Sequence, residues 1–197
     1  MELRIVVIGD SFVLGTGDPA QLGWVGRVAA SARERGHGVT VYNLGIRRDT
    51  SADVAARWHD EAARRLPSIH PRLLVFSFGV NDCTIEDARA RVPLEQTAIN
   101  AATILHEARG FAPCLFVGPP PTAERTLNDR IRDASARLSW VCRDADVPFL
   151  DAFAPMLASP ICLDDVAAGD GAHPGAHGYA ALASLVEAWP AWRKHLP

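Results

Sequence analysis

VVIGDSFVLGTGD, residues 6–18, runs an apolar segment directly into glycine, aspartate and serine, and then into two more glycines. An apolar run without polar alternation is typical of a strand that is buried on both faces of a parallel sheet. In open parallel sheets, functional side chains gather beyond the carboxyl ends of the strands. The stretch therefore predicts a buried first strand that delivers Ser11 to the functional edge of a sheet.

Apolar runs and helical patterns alternate along the rest of the chain. The predicted strands, rich in Val, Ile, Leu and Phe, are residues 3–8, 39–44, 73–78, 114–117 and 148–150. The predicted helices are residues 22–36, 51–67, 93–110, 124–144 and 178–189. Ser51 is a start signal for the second of them, and Gly36 and Gly110 are stop signals for the first and the third. This succession of β-α units predicts an α/β fold with a parallel sheet.

Length and composition limit the possible functions. The 197 residues suit one domain over residues 1–197, and 48% hydrophobic with 22% charged residues is a globular composition. A formal net charge of -3 gives no reason to expect nucleic acid or an anionic membrane as a partner. The N-terminal apolar run is too short for a signal peptide and no later segment resembles a membrane span, so we expect a cytoplasmic protein without stable membrane insertion. The four cysteines lack CxxC spacing, which favours free thiols over disulfides or zinc ligands.

Polar groups suited to catalysis follow the other predicted strands and precede the last predicted helix. Gly45, in NLGIRRDTS, ends the second strand with its amide expected to be free, and Asn81, in GVND, follows the third strand. Asp170 and His173 lie in DGAHPGAHGY, just before the C-terminal helix. Together with Ser11, these residues supply the groups that acyl transfer requires.

Each of these residues has a predicted role in acyl transfer. Ser11 is the candidate nucleophile, and His173 is the base that would take its proton. Asp170 would hold the imidazole in the correct tautomer. The amides of Ser11 and Gly45 and the side chain of Asn81 would form an oxyanion hole.

Other interpretations of the same residues remain open at this point. Ser11 alone is also a favoured helix N-cap. His177 competes with His173 as the base, and the two have the spacing of metal ligands on a helix; Pro174 and the neighbouring glycines argue against that helix, and no metal or other cofactor is expected.

Several charged residues near these motifs have structural interpretations. Asp10 and Asp82 are expected to be turn or helix-start residues, and Arg57 is expected on a solvated helix face. A non-catalytic module that binds a phosphorylated ligand is disfavoured, because GDSFVLGTGD matches neither a dinucleotide fingerprint nor a lysine-containing phosphate loop.

Four ordered motifs resemble those of the SGNH hydrolases, also called the GDSL esterase and lipase family. They are GDS at residues 9–11, Gly45 in NLG, GVND at residues 79–82 and DGAH at residues 170–173. The resemblance implies a flavodoxin-like three-layer α/β/α sandwich with a five-stranded parallel sheet in the order 2-1-3-4-5. It also implies a Ser-His-Asp triad, an oxyanion hole, and hydrolysis of esters or thioesters without metal or organic cofactor.

The chain departs from the family pattern at two positions. Phe12 replaces the usual leucine after Gly-Asp-Ser, which changes the packing behind the nucleophile. Arg48, preceded by Arg47, replaces the second glycine of the block Asn-x-Gly-x-x-Gly-Asp-Thr. These arginines would either recognise an anionic group on the substrate or pair with Asp49 or Asp53 and brace the loop.

The sequence therefore predicts a serine esterase that acts on small carboxylic esters. A thioesterase or a lysophospholipase of the same chemistry is the alternative, since the pocket alone would distinguish them. The expected partner is a small-molecule ester substrate.

Overall fold

A five-stranded parallel sheet forms the centre of the structure, a computed structural model that describes residues 2–197. The strands are β1 (Leu3–Gly9), β2 (Val39–Gly45), β3 (Arg72–Ser77), β4 (Ile85–Glu86), β5 (Arg89–Ala90), β6 (Cys114–Val117) and β7 (Phe149–Leu150). The main sheet has the order β2-β1-β3-β6-β7, while β4 and β5 form a separate hairpin. Leaving the hairpin out of the count, this confirms the predicted order 2-1-3-4-5.

Helices cover both faces of the sheet. They are α1 (Ser11–Leu14), α2 (Gly23–Glu34), α3 (Ser51–Arg65), α4 (Leu94–Phe111), α5 (Arg125–Asp144), α6 (Phe153–Leu157), α7 (Pro160–Ala168), α8 (Ala176–Ala188) and α9 (Pro190–Arg193). Alternate residues of β1 face opposite layers: Ile5 and Val7 pack with the core beneath α2 and α8, and Val6 and Ile8 pack with the core beneath α3, α4 and α5. The three-layer α/β/α prediction is therefore confirmed.

The short elements were not predicted, and most helix ends differ from the sequence prediction by one or two residues. α4 continues through Gly110 and ends at Phe111, so the stop predicted at that glycine was wrong. A cap on Ser159 and a proline at the first turn start α7, which together with α1, α6 and α9 was not predicted.

The register of the adjacent strands β2, β1 and β3 aligns their carboxyl ends. Gly9 of β1 lies opposite Gly45 of β2 and Ser77 of β3. The loops that follow these strands carry Ser11, the arginine pair and Asn81. One edge of the sheet therefore gathers most of the predicted site residues.

β1 ends at Gly9, a position at which a side chain would have no room. A Cβ on Gly9 would lie 1.8 Å from the carbonyl oxygen of Ser77 and 2.6 Å from a methyl group of Val13. Both the neighbouring strand and the turn after β1 approach the backbone closely at this point.

All four cysteines are free and buried, as predicted. Burial raises the pKa of Cys83, Cys114 and Cys142 to about 12, so these thiols are poor nucleophiles. Within residues 2–197, no helix combines the length and the apolar character needed to cross a membrane.

Candidate active site

A single helical turn presents Ser11. Asp10 is its N-cap, and the carboxylate accepts the main-chain N–H of Phe12 at 2.9 Å, which confirms the predicted turn role of Asp10. Gly15, with φ of 89°, ends the turn in the left-handed conformation. Ser11 is therefore the first residue of α1, where the main-chain N–H has no partner within the helix.

An unbroken chain of hydrogen bonds connects Ser11, His173 and Asp170. His173 Nε2 lies 2.8 Å from Ser11 Oγ, and His173 Nδ1 lies 2.7 Å from Asp170 Oδ2. The other carboxylate oxygen, Oδ1, accepts the main-chain N–H groups of Ala172 at 2.9 Å and His173 at 2.8 Å. The four-residue loop therefore orients both its carboxylate and its imidazole toward the serine.

Hydrogen bonding keeps the Asp170 carboxylate ionised. Burial alone would raise the pKa of this carboxyl group, but the hydrogen bonds from the main chain and ring of His173, and from the Ala172 N–H, lower it to about 2. At neutral pH the group next to the imidazole is therefore a carboxylate.

Phe12 packs directly against the imidazole. The centroids of the Phe12 and His173 rings are 4.9 Å apart, with an angle of 40° between the ring planes. The phenyl ring that replaces the usual leucine thus forms one wall of the histidine site, and Phe12 is itself buried.

Neighbouring elements hold the histidine loop in place. Asp165 of α7 accepts the Gly178 N–H at the start of α8 at 2.7 Å. The Ala123 N–H donates to the carbonyl oxygen of Gly171 at 2.9 Å. From α8, the buried Tyr179 hydroxyl donates to the carbonyl oxygen of Thr16 at 2.8 Å, which ties the loop after α1 to the helix after His173.

His177 lies away from Ser11. Its side chain is 80% exposed, and its Nδ1 lies 3.4 Å from Asp165 Oδ1. Because α8 begins at Ala176, His173 precedes the helix, and the two histidines do not share a helix face. Over residues 2–197, no group of three or more His, Cys, Asp and Glu side chains is arranged to hold a metal ion.

The expectation that the Gly45 amide is free was wrong. The Gly45 N–H donates to Asn43 Oδ1 at 3.0 Å. A Cβ on Gly45 would lie 2.1 Å from the Leu14 nitrogen and 2.7 Å from the Asp10 carbonyl oxygen. Gly45 therefore allows β2 to pack against the turn that bears Ser11, and its N–H is already bonded.

The loop after β2 makes a tight turn at Arg48. The Ile46 N–H donates to the Gly9 carbonyl oxygen at 3.0 Å, and the Asp49 N–H donates to the Ile46 carbonyl oxygen at 3.3 Å. Arg48 is the third residue of this turn and has a positive φ of 69°, a conformation in which glycine is usual. Within the described chain, the N–H of Arg48 has no hydrogen-bond acceptor.

Asn81, in the loop after β3, contacts the loops that follow β1 and β2. Its Nδ2 donates to the Asp49 carbonyl oxygen at 3.0 Å and lies 3.5 Å from Asp10 Oδ2. Burial, and to a smaller extent the nearby Asp82 and Asp49 carboxylates, raise the pKa of Asp10 to about 7. The amide of Asn81 therefore borders a buried carboxyl group immediately beside the serine turn.

Asp82 lies in a turn, as predicted, and its carboxylate also binds the start of a helix elsewhere in the chain. Its Oδ2 accepts the Ser51 N–H at 2.9 Å at the start of α3, and its Oδ1 accepts the Thr97 hydroxyl at 2.9 Å. The Ser51 hydroxyl also donates to this carboxylate. Burial raises the pKa of Asp82, which the Ser51 hydrogen bonds partly offset.

Arg57 does not lie on a solvated helix face, contrary to the prediction. Its guanidinium donates to the carbonyl oxygens of Gly9 and Leu44, both at 2.9 Å, and to Asp49 Oδ2 at 2.7 Å. The side chain is only 16% exposed. Arg57 thus ties together the ends of β1 and β2 and the turn after β2.

The side chains of the two arginines after Gly45 differ in their contacts. Arg48 pairs with Glu86 of the β4-β5 hairpin, so the predicted pairing with Asp49 or Asp53 was wrong. Asp49 pairs with Arg57 instead, and Asp53 completes the capping box of α3. The exposed Arg47 forms no ion pair with any residue from 2 to 197.

Sequence reasoning missed three supporting residues of the site. These are Arg57, which ties strand ends together; Asp165, which holds α8; and Arg91, which donates to the Arg48 carbonyl oxygen at 2.8 Å. Their partners are mostly main-chain atoms distant in sequence, which leave no residue pattern to read. Only the four-residue spacing between Arg57 and Glu61 was visible in the sequence, and that spacing is also typical of an ordinary exposed ion pair on a helix.

Comparison with known proteins identifies the family. Residues 7–181 match the GDSL-like lipase/acylhydrolase family, and the chain belongs to that family. It is accordingly a hydrolase of ester bonds. No curated protein sequence matches the chain significantly.

Solved structures share the fold over nearly the whole chain. A lipase/acylhydrolase from Enterococcus faecalis is 23% identical with a TM-score of 0.78, and the match covers 100% of this chain and 98% of that one. An acetylxylan esterase from Geobacillus stearothermophilus is 20% identical with a TM-score of 0.75, covering 92% of this chain and 91% of the other. An α/β hydrolase from the metagenome of Lake Arreo, Spain, is 18% identical with a TM-score of 0.74, with 92% of each chain covered.

Proposed function

We propose that the protein is a serine esterase that cleaves small carboxylic esters through Ser11, His173 and Asp170. The observation that supports this best is the hydrogen-bonded chain from Ser11 Oγ through the imidazole to the carboxylate, with links of 2.8 Å and 2.7 Å. A hydroxyl becomes an effective nucleophile when a base within hydrogen-bond reach takes its proton.

Acylation begins when Ser11 Oγ attacks the acyl carbon and its proton passes to His173 Nε2. The ionised Asp170 holds the proton on Nδ1 and stabilises the imidazolium that forms. Collapse of the tetrahedral intermediate breaks the ester C–O bond, and Nε2 protonates the departing alcohol. The acyl group is then bonded to Ser11 Oγ.

Deacylation repeats the same proton transfers with water. His173 Nε2 takes a proton from water as its oxygen attacks the acyl carbon, and then returns a proton to Ser11 Oγ as the carboxylic acid leaves. The base is regenerated in its starting form.

The oxyanion needs preorganised donors, and the N–H of Gly45 already donates to Asn43. We assign the Ser11 N–H, which has no partner within α1, and the side-chain amide of Asn81. One of the two N–H groups of that amide donates to the Asp49 carbonyl oxygen, and the other has, within the described chain, only the Asp10 carboxyl group nearby, at 3.5 Å.

The third donor is the N–H of Arg48. The amides of Ile46 and Asp49 in the same turn already donate to carbonyl oxygens, which leaves those of Arg47 and Arg48, and we assign Arg48 because it stands where the family block has its second glycine. The donor at position 48 is a main-chain N–H, so it is present although the residue is arginine and not glycine. The Arg48 side chain pairs with Glu86.

Arg47 is the residue through which substrate charge would be recognised. The Arg48 guanidinium is engaged by Glu86, whereas that of Arg47 has no ion-pair partner in residues 2–197. An exposed guanidinium beside the site favours a carboxylate or phosphate on the substrate through charge-assisted hydrogen bonds.

Hydrolysis of a panel of esters and thioesters of graded acyl length, together with lysophospholipids, tests the proposal. Ser11→Ala and His173→Ala should each lower kcat by several orders of magnitude, and the double variant should lose little more, because the two groups act as a unit. His177→Ala is the matched control and should remain close to wild type.

The outcomes separate the proposal from its alternatives. Full activity in either Ser11→Ala or His173→Ala overturns the assignment. A preference for thioesters or for lysophospholipids in the panel would move the protein to the alternative activities that share this chemistry.

A further inference from the structure

Arg48 occupies a backbone conformation that its side chain opposes. Its φ of 69° lies in the left-handed region, which residues with a Cβ adopt at a cost and retain only where their surroundings hold them. Glycine adopts this conformation freely. The structure should therefore contain contacts that hold the turn Ile46–Asp49 in place.

The β4-β5 hairpin supplies such contacts. Ile85 pairs with Ala90 and Glu86 with Arg89, and the connecting residues Asp87 and Ala88 both have positive φ, as in a two-residue hairpin turn. The hairpin begins where the site ends, since the Thr84 hydroxyl donates to the carbonyl oxygen of Asn81 at 2.7 Å. The Arg91 N–H closes it by donating to the Thr84 carbonyl oxygen at 2.9 Å.

Two side chains of this segment reach the strained residue. The Arg91 guanidinium donates to the carbonyl oxygen of Arg48 at 2.8 Å, and its Nε lies 3.5 Å from Glu86 Oε1. Glu86 in turn pairs with the guanidinium of Arg48. Both the main chain and the side chain of Arg48 are therefore bound to the hairpin.

The contact from Arg91 is the stronger of the two. The side chains of Arg48 and Glu86 are 71% and 51% exposed, and exposed ion pairs contribute little. Arg91 is 17% exposed and offers a charged donor to a main-chain oxygen of the strained residue itself. If that bond is lost, we expect Arg48 to relax to a negative φ by rotation of the peptide unit between Arg47 and Arg48, which turns the Arg48 N–H away from its present direction.

We propose that Arg91 is a positioning residue that holds the Arg48 turn in its left-handed form and so takes the place of the glycine this turn would otherwise require. The proposal rests on the oxyanion role assigned above to the Arg48 N–H. Arg91 itself contacts no reacting atom and acts through the turn.

A double-mutant comparison tests this role. Arg91→Met, measured with a short-chain ester, should lower kcat about ten- to a hundred-fold with little change in KM, because a misplaced donor acts on the transition state. In an Arg48→Gly background, where no Cβ opposes the turn, the same Arg91→Met change should cost less than about twofold. Arg109→Met is the matched control, since Arg109, on α4, pairs with the exposed Asp146 that follows α5, away from the hairpin.

Amide hydrogen exchange tests the clamp independently of catalysis. Arg91→Met should speed exchange in a peptide covering residues 46–50, and Arg91→Lys should restore part of the protection. Unchanged exchange, or an equal loss of kcat from Arg91→Met in both backgrounds, would overturn the positioning role. Faster exchange in Arg91→Met together with full activity of Ser11→Ala would support the clamp and refute the proposed catalytic function.

Discussion

Gly45→Ala should both weaken the fold and displace the turn that carries Ser11. The added Cβ would lie 2.1 Å from the Leu14 nitrogen and 2.7 Å from the Asp10 carbonyl oxygen. Both are main-chain atoms, so no side-chain rotation relieves the contact. Either β2 or the turn that carries Ser11 must move.

The structure sets the size of this effect. Overpacking a well-packed site costs about 1–3 kcal/mol, and backbone obstruction places this variant near about 3 kcal/mol. For a chain of this length, each kcal/mol lowers Tm by about 2–4 °C, so Tm should fall by about 6–12 °C. Thermal unfolding followed by circular dichroism measures the change, and ester hydrolysis at a temperature where the variant is folded measures the displacement of Ser11.

Gly110→Ala is the matched control. Gly110 lies inside α4, and a Cβ there meets nothing within 4 Å. The substitution should stabilise the fold by about 0.5–1 kcal/mol, because alanine has the higher helix propensity. A Gly45→Ala protein with the wild-type Tm would refute the packing role of Gly45, even if its activity were lost.

Three further predictions concern the site. Asn81→Ala should lower kcat about 100- to 1,000-fold with a smaller change in KM, and a change in KM alone in steady-state kinetics would assign Asn81 to substrate recognition instead. Burial raises the pKa of Asp10 to about 7, so the folded chain keeps a proton that the unfolded chain loses above about pH 4. As pH rises from about 4 to about 7, the free energy of unfolding of the wild type should therefore fall by up to about 4 kcal/mol relative to that of Asp10→Asn, as measured by urea unfolding. A rise in this difference would contradict the buried environment of Asp10. Arg47→Ala should weaken hydrolysis of anionic esters while sparing neutral ones, and an equal loss of kcat/KM on both would remove Arg47 from recognition.

The main strands were predictable because each is a short apolar run buried on both faces. The predicted limits of the first and second strands fall one residue short of the observed ends at Gly9 and Gly45. The order of the strands came from the family resemblance, since apolar runs do not specify their neighbours. The β4-β5 hairpin was missed because its strands have two residues each and its turn is Asp87-Ala88, not the usual Asn-Gly.

The three hydrogen-bonded residues Ser11, His173 and Asp170 were predictable from their motifs, whereas the bonding state of backbone groups was not. Gly45 was expected to present a free amide, but a sequence does not reveal that Asn43 two residues earlier accepts this N–H. Arg57 and Arg91 bond to carbonyl oxygens far away in the chain, and any residue type supplies such an oxygen. The positive φ of Arg48 was likewise hidden, because arginine is not a residue from which this conformation would be predicted.

Labelling with a fluorophosphonate probe, followed by intact mass measurement and peptide mapping, tests the central claim most directly. The reagent requires an activated serine and not merely a pocket. We expect one adduct, located on Ser11, that is absent in Ser11→Ala and forms far more slowly in His173→Ala. An adduct on a different residue, or labelling of Ser11→Ala at the wild-type rate, would contradict the account.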